Sequence, residues 1–417
     1  MTALTNREIA ELLARESERS EGRKQRALRR ASRSALMWPE EASALVAADR
    51  SLTELRAIGP FTASFIARWI AERPEIAAPP PIRDGFLSYA HAREVVAQHP
   101  DWQIALRADH QMHSDETDGS ASLEEMAGAA AELGRTRIAM TDHSKSLRIT
   151  NGMDEARLAA QGRRIAELNE RNGPPHVLRA IEMDLTPEGA GDMEVSALAR
   201  LDLVLGAFHS KLRLKDDQTE RYLKALANRD IHVLAHPRGR VYNFRLGLTA
   251  DWDRVARAAA ETGTALEIDA YPDRQDLDVE RLRAVAAAGA WVSIGSDAHS
   301  QGELVFLELG VAAAILAGIP REKVLNCLDD RALAERVGFV RAAKRRHNVE
   351  RSEMAVAGGR RERIDPTPGR KGGSRYVRRG AGGEFSSGQT SAGRSVAADK
   401  RVTAKNKAPK GMKDRGD

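Results

Sequence analysis

A single cysteine, Cys327, stands in a chain of 417 residues. It has no partner for an internal disulfide and excludes every zinc finger built on paired cysteines, which fits a reducing compartment and makes a bacterial-type cytoplasm the expectation. No apolar run approaches the roughly 18 to 20 residues that cross a bilayer, so no membrane span is expected although 42% of the residues are hydrophobic. The start, MTALTNREIAELLARESERS, lacks an apolar core behind a basic head and does not read as a secretion signal. The chain carries a net +5, unevenly distributed. Residues 341–417 hold 21 Lys and Arg against 8 Asp and Glu, a net +13, while residues 1–340 hold 44 against 52, a net −8. That tail is also short of large apolar residues. A stretch such as GGRRERIDPTPGRKGGSRYVRRGAGGEFSSG cannot bury enough surface to offset the entropy of ordering, so residues 341–417 are expected to be disordered. Their charge serves either solubility or nonspecific contact with nucleic-acid phosphates.

The length suggests two or three folded units. Residues 1–75 read as helices, with an amphipathic start at Ile9, Leu12 and Leu13 and a basic run at Arg23, Lys24, Arg26, Arg29, Arg30 and Arg33. In SLTELRAIGPFTASFIARWI a helix is expected from Ser51 through Ile58, then a turn at Gly59-Pro60, then a second helix through Phe65, Ile66 and Ile70. This looks like a helix-hairpin-helix element, whose turn around Gly59 and Phe61 offers backbone N–H groups to a DNA phosphate. A Gly-Pro pair between helices is also an ordinary tight connection. The proline cluster in PEIAAPPPIRD suits neither a helix nor a central strand, and residues 76–103 are expected to form a linker with a short helix.

From about residue 104 to 340 short apolar strands alternate with helix-period stretches: QIALRADHQMH, TRIAMTDH, HVLRAIEMD, LDLVLGAFH, IHVLAHP, TALEIDA and AWVSIGSDAH. This rhythm predicts an α/β domain with a parallel barrel, an open doubly wound sheet being the alternative. Six of the strands end in titratable groups: His113, His143, Glu182, His209, His236, and the pair Asp297 and His299. In a parallel barrel these ends share one face. Asp109, Gln111 and His113 alternate along one strand and share a side, and Asp118 follows before a glycine that permits a sharp turn. Imidazoles and carboxylates crowded in one cavity are costly unless cations neutralise them, so a polynuclear metal site is expected.

HSDETDG, AMTDHS, GAFHS, VLAHP, EIDAYPDRQDL and SDAH, in this order over about residues 105–340, resemble the PHP (polymerase and histidinol phosphatase) family. Within it they are most similar to the C-terminal PHP domain of bacterial family X DNA polymerases. The N-terminal helical piece resembles the start of those polymerases, but only about 30 residues separate the two regions, which leaves no room for a polymerase palm. The resemblance implies a distorted (β/α)7 TIM-like barrel holding two to three divalent ions, Mn²⁺ or Zn²⁺ with Fe also compatible. It implies that His113, Glu182 and Asp297 hold the first metal, with Gln111 where the family usually has histidine. Glu182 would bridge to a second metal completed by His209 and His236, and Asp118, His143 and His299 would hold the third. An amide oxygen is a weaker, neutral ligand than imidazole, which loosens the first site or shifts preference toward Mn²⁺.

Metals so placed activate water and clamp a phosphate, and hydrolysis of a phosphoester is the natural reaction. Glu182, His113 and Asp297 are the candidate catalytic centre. Arg238 is the leading cation for substrate contact, with Lys211, Arg240 and Arg274 as further candidates for phosphate or DNA. Asp184 and Asp269 are expected to be partners of histidines. His110, His176 and His232 read as structural or surface residues. Three functions follow: a 3′ to 5′ exonuclease or 3′-end trimming activity on DNA, a phosphatase for a small monoester of the histidinol phosphate kind, or a DNA-binding repair scaffold with a degenerate barrel. No membrane association and no obligate protein partner are expected.

Overall fold

The apolar runs fall on seven parallel strands in the computed structural model, which describes residues 3–171, 173–357, 361–364, 375–378 and 390–391. The strands are β1 (Ala108–Asp109), β2 (Arg137–Met140), β3 (His176–Asp184), β4 (Leu203–Ala207), β5 (Val233–Leu234), β6 (Ala265–Asp269) and β7 (Val292–Gly295), and they neighbour one another in chain order. Past β1 the first strand turns back onto the last: His113 N–H donates to the Ala298 carbonyl at 2.9 Å, and Asp297 N–H to the Gln111 carbonyl at 3.0 Å. The sheet thus closes into a (β/α)7 barrel, and every strand end faces the same way.

Between the strands lie α6 (Leu123–Glu132), α7 (Glu155–Arg171), α8 (Val195–Leu198), α9 (Thr219–Leu226), α10 (Trp252–Thr262) and α11 (Val279–Ala287), and after β7 come α12 (Leu307–Ala317) and α13 (Asp330–Ala357). The helix starts are encoded locally. Ser122 and Glu125 form a reciprocal capping box on α6, and the Asp251 and Asp278 carboxylates accept the Arg254 and Arg281 N–H groups at the starts of α10 and α11. One expectation is corrected. The QIAL portion of the first expected strand belongs to a 3₁₀ helix, Pro100–Arg107, whose buried Trp102 and Ala105 lie one turn apart, and only Ala108–Asp109 remains strand.

The N-terminal region contains α1 (Asn6–Glu18), α2 (Gly22–Ala35), α3 (Ala42–Ala47) and α4 (Pro60–Glu72), with α5 (Tyr89–Ala97) following the proline-rich stretch. Their core gathers Ile9, Leu13, Leu28, Leu36, Trp38 and Ile66, and Tyr242 of the barrel joins it. The helix expected over Ser51–Ile58 is not formed. Ser51 and Glu54 close a box on a single 3₁₀ turn, Leu52–Glu54, and Leu55 is already extended. Ala57 adopts a left-handed φ of 66°, and α4 then begins at Pro60, whose ring suits the first helical position. Only one helix therefore flanks the Gly59 turn as expected.

Contacts group Met1–Arg341 into one compact unit, without a break at the proline-rich stretch, and Ala342–Gly416 into another. In the second, short strands Arg361–Ile364, Arg375–Arg378 and Thr390–Ser391 pair antiparallel. The rest of the stretch expected to be disordered lies outside the described residues after Ala357. Among the described residues no helix is long and apolar enough to cross a membrane.

A candidate metal centre at the strand ends

Glu182 sits at the end of β3, 1% exposed, with four imidazoles around it. Its Oε1 is 2.5 Å from His236 Nε2 and 3.1 Å from His209 Nε2; its Oε2 is 3.2 Å from His143 Nδ1 and 3.5 Å from His113 Nε2. His113 Nε2 also meets Asp297 Oδ1 at 2.9 Å. Asp118 spans the outer side, 3.5 Å from His143 Nε2 and 3.6 Å from His299 Nε2. The His113 ring lies face to face with His143 and with His299, at centroid distances of 4.5 and 4.4 Å.

Three overlapping sets of donor atoms lie within 4.8 Å of one another: His113, Asp118, His143 and His299; His143, Glu182 and His209; and His113, Glu182 and Asp297. Every histidine and carboxylate singled out in the sequence as a ligand therefore converges on one place. His143 joins Glu182 and His209 in the second set, while His236 lies outside all three and meets the cluster through Glu182 and edge-on against the His209 ring at 5.3 Å.

Local backbone geometry makes this convergence possible. A side chain at Gly119 would come within 2.6 Å of the His113 carbonyl oxygen, so its absence lets the turn carrying Asp118 fold back on the strand end. His236 and Asp297 occupy positive φ values of 23° and 51°. Such conformations cost about 1–3 kcal/mol each and persist where the surroundings impose them.

Gln111 is fully buried, and neither its Oε1 nor its Nε2 has a hydrogen-bond partner among the described residues. Beside it, across Gly295, lies Glu267, whose Oε2 accepts the His236 N–H at 2.6 Å while its Oε1 has no partner. An unpaired buried amide and carboxylate are expensive. Their concentration at this cluster, together with the mixed nitrogen and oxygen donor set, suits one or more divalent cations. Without cations the charges are poorly balanced: burial and then neighbouring carboxylates push Glu267 and Asp269 well above the usual carboxylate range. Burial alone would also raise Glu182, but the histidines around it hold it well below that range.

The flanking cations separate into two groups. Arg274 Nη1 lies 3.0 Å from Asp297 Oδ2 and faces the cluster. Arg238, the leading candidate from sequence, is directed elsewhere: its guanidinium donates to Asp278 at 2.8 Å and to the Leu246 carbonyl at 3.0 Å. Arg240 likewise joins Asp278 at 2.8 Å and lies over the Phe86 ring. Lys211 is exposed on the loop after β4, and Gly59 and Phe61 are exposed at the start of α4.

Asp184 accompanies His209, with its Oδ1 3.2 Å from Nδ1. Among the described residues Asp269 has no histidine partner of this kind; its Oδ1 accepts the Tyr271 N–H at 2.7 Å. His110, His176 and His232 meet Ser293, Asp330 and the Val204 N–H. Two supporting residues escaped the sequence reading. Asp142 accepts from Ser114 N and Oγ, Thr117 Oγ1 and Gln161 Nε2 at 2.6–2.8 Å, fixing the segment between His113 and Asp118. Its place beside His143 in TDHS was the available signal. Glu267 precedes Asp269 by the two residues that put both on one face of a strand.

No family model matches the chain. The DNA polymerase/3′-5′ exonuclease PolX of Bacillus subtilis is 35% identical over 222 residues, covering 53% of this chain and 39% of that protein. A probable phosphatase of Syntrophotalea carbinolica is 27% identical over 216 residues, 49% of this chain and 85% of that protein. A probable phosphatase of Citrobacter koseri is 31% identical over 169 residues, 38% of this chain and 66% of that protein. A solved histidinol phosphate phosphatase from Lactococcus lactis, complexed with Zn, L-histidinol and phosphate, superposes over 57% of this chain and 93% of its own with 13% identity and a TM-score of 0.33. The chain belongs to the PHP family of phosphoesterases, with its barrel as the PHP domain. It spans well under half the length of the polymerase it matches.

Proposed function

We propose that this protein hydrolyses phosphoester bonds at DNA ends, as a metal-dependent 3′ to 5′ exonuclease or 3′-end trimming enzyme. The observation that carries the reading is the convergence of His113, His143, His209 and His236 on the single carboxylate of Glu182, extended outward by Asp118, Asp297 and His299. In it His113, Glu182 and Asp297 would hold one divalent ion, Glu182 with His209 and His236 a second, and Asp118, His143 and His299 a third, with Gln111 as an added neutral donor. When bound, such ions make water nucleophilic near neutral pH and neutralise charge on a phosphoryl group.

The chain's own groups do the rest. Asp184 holds the His209 ring by its Nδ1, and the Asp297 carbonyl holds that of His299 at 2.8 Å, so the Nε2 atoms of both rings are aimed inward. Arg274 supplies a fixed positive charge beside Asp297, where a phosphoryl oxygen gains from it as charge develops. Similarity to a relative named as a polymerase and 3′-5′ exonuclease favours DNA as substrate. Similarity covering most of a probable phosphatase favours a second reading, a small phosphomonoesterase. Protein supplied with Mn²⁺ and given a 5′-labelled single-stranded oligonucleotide in parallel with small phosphomonoesters separates the two. A descending ladder abolished by EDTA and by Glu182→Ala is expected; phosphate release from the monoesters with the oligonucleotide intact would establish the second reading instead. Metal lost on dialysis with DNA binding retained would point to a scaffold with a degenerate barrel.

A further inference from the structure

The loops that follow His209 and His236 at the strand ends of β4 and β5 expose apolar side chains. Leu214, Phe244 and Leu246 are 38%, 59% and 44% exposed. Phe244 is held in place. Val241 and Arg245 exchange two backbone hydrogen bonds of 2.8 and 2.9 Å, closing a tight loop in which Asn243 takes a φ of 53°. Underneath, Tyr242 is buried, with its ring edge-on to Phe86 at 5.1 Å, its hydroxyl 3.0 Å from Ser32 Oγ of α2 and its N–H donating to the Asp273 carbonyl at 2.7 Å. Asn243 donates its N–H to the Ile82 carbonyl at 3.1 Å and accepts from Arg83 at 3.0 Å. The N-terminal region thus clamps the loop, and Arg238 ties it from within through the Leu246 carbonyl.

The loop after β4 meets it from the other side. A side chain at Gly239 would lie 2.9 Å from Leu212, so the two loops are in contact, and the Arg213 guanidinium lies 4.7 Å above the centre of the Phe244 ring. Lys211 and Lys215 are exposed on the same loop. An aromatic ring on a loop held by backbone hydrogen bonds, with an arginine over one face and exposed lysines two residues to either side of that arginine in the chain, combines an apolar planar surface with positive charge. That combination recognises nucleotides in single-stranded nucleic acid, where bases stack on aromatic rings and phosphates meet cations.

We propose that Phe244 and Arg213 form a platform on which a base of a single-stranded DNA substrate stacks, with Lys211 and Lys215 meeting its backbone, so that the strand is registered against the metal centre. This rests on the reading of the protein as a DNA-end phosphoesterase. It gives the N-terminal region a role in holding the platform, and it reassigns Arg238 from substrate contact to support of the Phe244 loop.

The test uses the full chain with Mn²⁺, a single-stranded oligonucleotide, and oligonucleotides in which each of the three 3′-terminal nucleotides in turn is replaced by an abasic residue. Glycerol 2-phosphate serves as a small monoester. Wild-type protein is expected to discriminate against an abasic residue at one of these positions through KM. Phe244→Ala is expected to raise KM for the intact oligonucleotide about 5- to 150-fold and to abolish the discrimination. Phe244→Trp retains both, and glycerol 2-phosphate turnover and metal content do not change. Wild-type KM values for Phe244→Ala on intact and abasic strands would overturn the platform while leaving DNA-end hydrolysis standing. Failure of the wild-type protein to cleave any oligonucleotide while hydrolysing glycerol 2-phosphate would overturn both.

Discussion

Arg274 Nη1 lies 3.0 Å from Oδ2 of Asp297, the carboxylate whose other oxygen meets His113. The arginine comes from the loop after β6 and the aspartate from the end of β7, so the contact joins two neighbouring strand ends across the mouth of the centre. Burial works against the Arg274 charge, but Asp297, Asp269 and Glu182 more than offset it and secure the guanidinium. Replacing Arg274 by alanine is expected to lower turnover about 10²- to 10³-fold with little change in bound metal, and Arg274→Lys to recover part of the loss. Steady-state kinetics alongside metal analysis checks this; undiminished turnover in Arg274→Ala would leave it as a structural counter-charge only.

Gln111 presents a buried amide with neither polar atom satisfied among the described residues. In Gln111→His a stronger donor takes the same place, and the protein is expected to retain more divalent metal after dialysis than the wild type. Gln111→Leu is expected to retain less. Plasma emission analysis after dialysis against a weak chelator ranks the three; an unchanged metal content across the series would remove Gln111 from the centre.

Metal uptake should release protons. In the metal-free chain, burial lowers the His209 ring but Glu182 and Asp184 outweigh it and raise it to about 9. His299 is raised to about 9 against its burial by Asp118 and Asp297. Ligation needs neutral imidazole, so at pH 7.5 both rings must lose a proton as metal binds. Titration calorimetry in buffers of different ionisation enthalpy is expected to show proton release at pH 7.5 that diminishes as pH passes 9. The same raised values mean that these pairings stabilise the metal-free fold fully below the ordinary histidine pKa of about 6.5 and lose that contribution as pH rises through about 9.

The N-terminal region depends on a buried ion pair. Arg83 donates to Glu11 at 2.8 and 3.1 Å, and their side chains are 4% and 6% exposed. Arg83→Met leaves the Glu11 carboxylate short of a partner and is expected to cost about 3–5 kcal/mol in denaturant unfolding. Burial raises the Glu11 pKa, but Arg83 and Arg15 together lower it below its ordinary 4.5. Its contribution is therefore present above pH 4.5 and lost on further acidification, and the destabilisation by Arg83→Met should shrink as pH falls toward 3.

Much of the metal centre was legible because barrel geometry converts a one-dimensional pattern into a place. Titratable residues that end successive parallel strands must share a face, so His113, His143, Glu182, His209, His236, Asp297 and His299 could be gathered before any coordinates. The arginines could not be sorted that way. Arg238 and Arg274 both follow strand ends, and which one faces the centre depends on whether a carboxylate elsewhere, here Asp278, captures the guanidinium first. The helix expected from Ser51 failed for a local reason, since a one-turn cap and a left-handed Ala57 intervene before the proline.

By itself the sequence determined the alternation of strands and helices, the face on which the ligands gather and the donor type each position contributes. These follow from strand and helix periodicity and from side-chain chemistry, which are local. Only the tertiary structure decided which carboxylates and cations meet, that Asp142 and Glu267 support the centre, and that Tyr242 of the barrel is buried against Phe86 and Ser32 while its neighbour Phe244 stays exposed. Those outcomes depend on contacts between segments up to 210 residues apart, whose distances are set by packing rather than by any pattern along the chain.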